Sequence, residues 1–205
     1  MKKLALFSLL LAASVSVYSA ETIAGSTAAA PAPPPTAAKM LDLFDRLHNA
    51  EEHKGDADSN VHFRLTDNEV NDYMRYALKT TPRPGIESVS VKFFPKDYVS
   101  TFTKVDFDAI EKWKPGTIPV VLRPFLKGHK TILVDFRIKA HDANLTFTVE
   151  KARYDDMMLP AYFVEKVIQL VAARQPEKYD TSKPIPLPFG LADITTGEKL
   201  VQGHN

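Results

Sequence analysis

The chain contains no cysteine among its 205 residues, and this absence narrows the class of protein. Without cysteine there can be no disulfide, no thiolate ligand for zinc and no thiol to acylate behind a leader peptide. An excess of one charge is also lacking, since 26 lysines and arginines oppose 25 aspartates and glutamates. Nucleic-acid-binding domains carry a clear excess of basic residues, so this composition argues against a nucleic-acid partner.

The sequence patterns of common catalytic and metal sites are missing as well. There is no G-x-S-x-G nucleophile turn, no glycine-rich phosphate loop, and no pair of histidines at the i, i+4 spacing of a helical metal site. Asp56–Asn60 opens like a calcium loop, but Val61 stands where that loop requires glycine. Asp155 and Asp156 are adjacent, and adjacent residues of a strand point to opposite faces. We therefore predict a non-enzymatic protein with no catalytic residues, no metal and no cofactor.

An apolar run, Leu4–Ala13, follows two lysines at the start of the chain and precedes small residues. This order of basic, apolar and small residues is typical of a secretory signal peptide. The run is too short for a membrane span, which needs roughly 20 apolar residues. We predict a signal peptide at residues 1–19 and a periplasmic or secreted protein with no transmembrane segment in the mature chain.

Residues 20–38 are rich in alanine and proline and hold almost no large apolar side chain. Such a stretch cannot bury enough surface to offset the entropy of ordering it, so we predict a disordered spacer. We expect the remaining residues, 39–205, to form a single domain, in line with their number.

Helical patterns occur at three places in this domain. Apolar residues recur at i, i+3, i+4 and i+7 from Met40, which predicts a first helix. Thr66 and Glu69 fit a capping box at the start of a second helix. A third, amphipathic helix is predicted over residues 160–175. Behind it, residues 183–190 carry proline at every second position and should form a stiff, extended segment.

Apolar and polar residues alternate over the middle of the chain, which predicts β-strands with one apolar face. The alternating runs are Val89–Phe93, Val99–Phe107, Ile132–Lys139 and Leu145–Glu150, with a tight turn at Asp142–Asn144 and a final hairpin about Thr195–Gly197. We therefore predict an α+β fold, in which an antiparallel twisted β-meander wraps around one long C-terminal amphipathic helix, with two N-terminal helices.

The apolar face of this sheet must meet the apolar stripe of the last helix, and periodicity cannot distinguish a filled core from a ligand cavity. A bent sheet around one helix can leave an elongated concave gap, where apolar ligands bind. For such a cavity we predict the following lining residues: Val91, Phe93, Val105, Phe107, Val134, Phe136, Phe147, Phe163, Val167, Leu170 and Val171.

The block Phe63–Tyr73 resembles the L-T-x-x-E-x-N-x-Y helix start of bacterial exported proteins related to the tubular lipid-binding (TULIP) superfamily. Tyr179–Leu191 is similar to the segment that returns from the long helix of those proteins to a final strand. The resemblance covers most of residues 61–201. It implies a twisted sheet curled around the helix and an elongated cavity for a lipid. The chain departs from those relatives that are lipoproteins, because it has no cysteine, and from the large members, because it holds one such unit.

We accordingly predict non-enzymatic periplasmic binding of a lipid or another apolar small molecule between the sheet and the last helix. The alternative is a structural or assembly protein of the cell envelope, with a fully packed core and an envelope protein as its partner. A hydrolase with catalytic residues scattered along the chain is a weaker third alternative.

Overall fold

A computed structural model of the protein describes residues 32–53, 59–116, 118, 120–172 and 183–205, with the backbone alone at residues 121, 167 and 170–172. The predicted signal peptide and most of the predicted spacer lie outside these residues. The fold is α+β, as predicted. The helices of the described residues are α1 (Pro35–Glu52), α2 (Asp67–Thr80), α3 (Phe107–Trp113) and α4 (Ala161–Ala172).

The described strands form one curled sheet in which every pair is antiparallel. They are β1 (His62–Thr66), β2 (Ile86–Phe94), β3 (Tyr98–Asp106), β4 (His129–His141), β5 (Asn144–Tyr154), β6 (Met157–Leu159), β7 (Ile185–Pro186), β8 (Asp193–Gly197) and β9 (Leu200–His204). The order across the sheet is β1-β9-β8-β4-β3-β2, and β5 pairs with β4, β6 and β7. Strands β2 to β5 thus form the predicted meander, and the prediction of an antiparallel sheet is confirmed.

Short turns join the strands of this meander where the sequence predicts them. Asp142 and Ala143 connect β4 to β5, both with a left-handed backbone at φ 52° and 59°. Two residues with positive φ form the hairpin turn whose twist matches that of the strands. The last hairpin turns at Glu198 and Lys199, just beyond the predicted Thr195–Gly197.

Helix α1 begins at Pro35, four residues before the predicted start of the domain. Proline suits a first helical turn, because the N–H that it lacks would have no partner there. Ala37 is fully buried, so residues 35–38 belong to the domain and not to the spacer. An alanine-rich composition is compatible with both states, and the packing of α1 against the rest of the protein decides between them.

The capping box that starts α2 is present as predicted. The Glu69 backbone N–H donates to Thr66 Oγ1 at 3.3 Å, and the Thr66 backbone N–H donates to Glu69 Oε2 at 2.7 Å. The second Glu69 oxygen accepts a hydrogen bond from Lys39 Nζ at 2.7 Å. Because Lys39 lies on α1, the capping glutamate also ties the two N-terminal helices together.

The core lies between the inner face of the sheet and the two N-terminal helices. Helix α2 packs on β2, and α1 packs on α2 and on residues 188–190. Met40 and Leu47 of α1 are at most 2% exposed, and Val70 and Met74 of α2 are buried against the same cluster. The residues that alternate inward on the strands complete this cluster, which confirms the predicted apolar face of the sheet.

The described residues do not show the predicted long C-terminal helix inside the sheet. The described part of the last helix, α4, has 12 residues, whereas α1 has 18. The main partner of α4 is β5. The two N-terminal helices pair with each other, and α2 packs on β2. The pattern of the last helix cannot reveal these contacts.

The proline-rich return after α4 contributes to the core. Ile185, Leu187, Phe189 and Leu191 are all buried, with an exposed Pro186 and a buried Pro188 among them. The Phe189 ring centroid lies 6.2 Å from that of Phe44 on α1. Only Ile185 and Pro186 form a strand, whereas residues 188–190 form a short 3-10 helix with a left-handed backbone at Phe189 (φ 57°). The prediction of a stiff, extended segment over residues 183–190 is therefore wrong for its last three residues.

Candidate functional site

Five of the eleven predicted lining residues are buried by the protein itself. Val91, Phe93, Val134 and Phe136 are at most 8% exposed and belong to the continuous core cluster that includes α1 and α2. Val105 is also buried, outside that cluster. Helices and neighbouring strands therefore cover these side chains, and a ligand-binding role for them stays a prediction.

Phe107 does not continue the alternation of β3, and the prediction that it does is wrong. The strand ends at Asp106, whose Oδ1 accepts hydrogen bonds from the backbone N–H groups of Asp108 at 3.0 Å and Ala109 at 3.2 Å. A carboxylate in this position caps a helix and starts α3. Phe107 is the first residue of that helix and is half-buried, with its ring centroid 6.3 Å from that of Tyr154.

Helix α4 is mostly apolar but only partly covered. Nine of its 12 residues are apolar. Among its apolar residues with described side chains, only Val164 is buried, whereas Phe163 and Ile168 are half-buried and Tyr162 is exposed. The remaining predicted lining residues of this helix, Val167, Leu170 and Val171, have side chains outside the described part of the structure.

The strand that α4 packs against also carries partly covered apolar side chains. Phe147 of β5 is half-buried, and so is Leu159 at the end of β6. Phe147, Leu159 and Ile168 are partly buried and pack against the core cluster. We call this region, made of Phe147, Leu159, Phe163 and Ile168, the α4 junction. It contains two of the predicted lining residues, Phe147 and Phe163.

Asn71 has a structural role that explains one residue of the L-T-x-x-E-x-N-x-Y block. Its Nδ2 donates to the Val91 carbonyl oxygen at 2.9 Å, and its Oδ1 accepts from the Val91 backbone N–H at 2.7 Å. Strand β2 is the last in the sheet order, so these backbone groups face away from β3. The amide therefore replaces a neighbouring strand and fastens α2 to the sheet edge.

A polar recess lined by titratable residues lies near the start of β4. The recess has a volume of about 250 Å³ and is lined by Glu87, Lys104, His129, Lys130 and Thr131. A hydrogen bond to the Glu87 carboxylate raises the pKa of His129, and the negative charges of Glu87 and Asp106 raise it further. These groups form exposed ion pairs, and their arrangement assigns no reaction.

The adjacent carboxylates Asp155 and Asp156 have different partners, although they lie in the turn between β5 and β6 and not in a strand as predicted. Asp155 accepts hydrogen bonds from Lys130 Nζ and from the Thr131 backbone N–H, each at 2.8 Å. These bonds lower the pKa of Asp155. Asp156 is fully exposed and lies 3.9 Å from Arg153. The two carboxylates thus do not form a shared acid–base pair.

Two histidine side chains lie close to the Asp193 carboxylate of β8. His141 Nδ1 lies 2.8 Å from one carboxylate oxygen, and His204 Nε2 lies 3.6 Å from the other. The His62 ring stacks on that of His204 with a centroid distance of 5.4 Å. Even so, no group of three or more histidine or carboxylate side chains in the described ranges is arranged to hold a metal ion. The start of the calcium-like stretch, residues 56–58, lies outside those ranges.

The predicted lining residues leave out Ile168, and sequence reasoning missed a set of exposed apolar side chains before β4. Ile168 follows the buried Val164 by four positions, and this helical spacing could have placed it in the predicted lining. The missed set comprises exposed apolar side chains at the end of α3 and in the segment before β4, among them Trp113 and Phe125. Their signal is the absence of acidic residues from residues 112–134, a stretch with several lysines and arginines.

No helix in the described ranges combines the length and the apolar character that a membrane span requires. No family model matches this chain, and neither a curated protein nor a solved structure is similar enough to count as a match.

Proposed function

We propose that this protein binds a lipid or another apolar small molecule at the α4 junction, between helix α4 and the β5 side of the sheet, without catalysing a reaction. The observation that carries the proposal is the incomplete cover of α4. Of the five apolar residues of this helix whose side chains are described, only Val164 is buried. Burial of apolar surface is favourable by roughly 25 cal/mol per Å². The part of the half-buried Phe163 and Ile168 side chains that stays exposed therefore favours the binding of an apolar ligand.

The proposed site is narrower than the cavity expected from the sequence. It retains Phe147 and Phe163 of the predicted lining and adds Leu159 and Ile168. It leaves out the five predicted lining residues of β2, β3 and β4 that are buried by the protein itself. Binding in the periplasm, after removal of residues 1–19, is part of the same proposal and rests on the order of basic, apolar and small residues in that stretch.

Solvent extraction tests the proposal directly. The protein is purified without detergent, extracted with organic solvent and analysed by mass spectrometry for bound lipid. In parallel, the purified protein is titrated with a fluorescent fatty acid. We expect a lipid species in stoichiometric amount or saturable uptake of the probe. A clean extract together with no uptake would refute the proposal.

A pair of matched variants locates the site. Ile168→Gln places a polar amide at the α4 junction, and we expect the affinity for the fluorescent fatty acid to fall about tenfold or more, because a buried Ile contact is worth about 1.5–3 kcal/mol. Leu78→Gln makes the same kind of change at a half-buried position of α2, away from the junction. The control variant should lose stability to a similar extent but keep its affinity. Equal loss of affinity in both variants would place the ligand elsewhere.

The packed core favours a second candidate, an envelope structural or assembly protein. Val91, Phe93, Val134 and Phe136 are covered by helices and strands, as a filled core requires. This candidate predicts a stable protein partner in the envelope and no apolar ligand. Crosslinking in intact cells followed by purification under denaturing conditions tests the second candidate, because an assembly protein yields one dominant crosslinked protein. A carrier yields no such product and instead gives lipid in the detergent-free extract.

A further inference from the structure

Large apolar side chains are exposed almost entirely at one end of the sheet. Seven such side chains are exposed among the described residues, and one of them, Phe102, lies in the middle of β3. The other six we call the apolar rim: Trp113, Val120, Phe125, Met157, Met158 and Tyr162. Exposure within the rim ranges from 49% at Trp113 to 74% at Val120. Such clustering is unusual on a protein surface and marks an interaction site.

Hydrogen bonds hold the separate parts of the rim together. The Tyr154 hydroxyl donates to the Phe125 carbonyl oxygen at 2.6 Å, and Tyr154 lies opposite Met157 in the β5–β6 pair. This contact joins the loop before β4 to the β5–β6 hairpin. Tyr162 follows that hairpin at the start of α4. The hairpin, the loop and the first turn of α4 therefore meet at the same end of the sheet.

The Glu111 carboxylate ties the loop to α3. It accepts hydrogen bonds from the backbone N–H groups of Gly116 at 2.9 Å and Ile118 at 3.2 Å, and it pairs with Arg123 at 2.7 Å. Ile118 is buried beneath this loop. Trp113, at the end of α3, thus belongs to the same structural unit as the loop residues of the rim. The exposed side chains are presented by an anchored loop.

The charge around the rim is positive although the whole chain is almost neutral. Residues 107–130 contain five lysines and arginines and two acidic residues, a net charge of +3, whereas the whole chain carries +1. The hairpin and the start of α4, residues 153–162, change this charge by −1, so the two stretches that carry the rim together have a net charge of +2. Trp113 stands between Lys112 and Lys114 in the sequence, and Lys127 follows Phe125 by two positions.

We propose that the apolar rim docks this protein onto the surface of a membrane that contains anionic lipid. Tryptophan and tyrosine are enriched at the level of the lipid headgroups, and exposed apolar side chains insert at the boundary of the acyl chains. Lysine and arginine beside them are attracted to anionic headgroups. A protein partner fits the rim less well, because lysine is depleted in the centre of protein interfaces. The proposal goes beyond ligand binding at the α4 junction and does not depend on it.

The chain supplies its own reporter for this interaction, since Trp113 is its only tryptophan. The purified protein is mixed with vesicles of phosphatidylcholine that contain phosphatidylglycerol, and with vesicles of phosphatidylcholine alone. We expect a blue shift of the tryptophan emission with the anionic vesicles and quenching by brominated acyl chains. Added salt should weaken the binding, because it screens the attraction between the basic residues and the headgroups. An unchanged emission with anionic vesicles would overturn the proposal.

Two charged variants with one matched control complete the test. Phe125→Glu and Met158→Glu each place a carboxylate in the rim, and both positions are more than half exposed, so the fold should tolerate them. We expect each variant to bind anionic vesicles at least about tenfold more weakly in a sedimentation assay. Phe102→Glu makes the same change at the exposed apolar residue outside the rim and should bind like the original protein. A loss of binding in Phe102→Glu equal to that in Phe125→Glu would also overturn the proposal.

Vesicle binding and ligand binding fail independently in these experiments. Ile168→Gln should retain the blue shift of Trp113 with anionic vesicles, and Phe125→Glu should retain uptake of the fluorescent fatty acid in solution. Capture of a soluble envelope protein through the rim, without any response to vesicles, would identify a protein partner and refute membrane docking.

Discussion

The substitution Asn71→Ala tests how α2 is fastened to the sheet. Asn71 makes both hydrogen bonds to the backbone of Val91, at 2.9 Å and 2.7 Å, on the edge strand β2. Val91 is only 6% exposed, so water has little access to the backbone groups that the amide would abandon. Removal of the side chain should therefore leave a buried donor and a buried acceptor without good partners.

The expected loss of stability follows from these contacts. Each hydrogen bond contributes a net amount of about 0.5–1.5 kcal/mol, so the pair is worth about 1–3 kcal/mol. Alanine is a better helix former than asparagine, which returns about 0.5 kcal/mol inside α2. We expect a net decrease of about 1.5 kcal/mol in the free energy of unfolding. For a domain of this size, that corresponds to a decrease of about 3–6 °C in Tm.

Urea denaturation followed by circular dichroism measures this effect, and Asn68→Ala is its control. Asn68 lies on the same helix and is exposed, so its replacement changes the helix propensity without removing the contact to β2. The control should stay within about 0.5 kcal/mol of the original protein. If Asn71→Ala is as stable as Asn68→Ala, the amide does not hold the sheet edge and the reasoning is wrong.

Three further predictions concern single positions. Thr66→Ala should lower the free energy of unfolding by about 1 kcal/mol in urea denaturation because the capping hydrogen bond is lost, and Thr66→Ser should restore it. Gly203→Ala should cost about 1–3 kcal/mol in the same assay, since a Cβ atom would lie 2.5 Å from the Asp193 carbonyl oxygen and 2.8 Å from the Phe63 ring; unchanged stability would contradict this packing. Burial, together with the charge of Asp155, raises the pKa of Tyr154 to about 12. The folded protein thus keeps the Tyr154 proton at pH values at which the unfolded chain, with a tyrosine pKa of ~10, has lost it. The stability that comes from this difference is complete below pH ~10 and is lost as the pH rises toward 12. Unfolding measured at alkaline pH should depend less steeply on pH in Tyr154→Phe.

The candidate site could be predicted from the sequence only in part. The alternation of Val91 and Phe136 with polar neighbours identifies the inner face of the sheet, but a helix and a ligand can cover that face equally well. Phe107 follows the same alternation and nevertheless starts a helix, because the Asp106 carboxylate caps the backbone behind it. The partial cover of Ile168 depends on how α4 rests on β5, a contact between segments separated in the sequence.

The sequence by itself determined the features that arise from a few neighbouring residues. These are the capping box of Thr66 and Glu69 and the hairpin turn at Asp142–Asn144. Tertiary structure decided which helices cover the sheet and which apolar side chains stay exposed. Helix α1 packs on α2 and on residues 188–190, while α4 contacts mainly β5. Apolar helices have similar patterns wherever they pack, so only the spatial arrangement of distant segments determines where uncovered apolar surface remains.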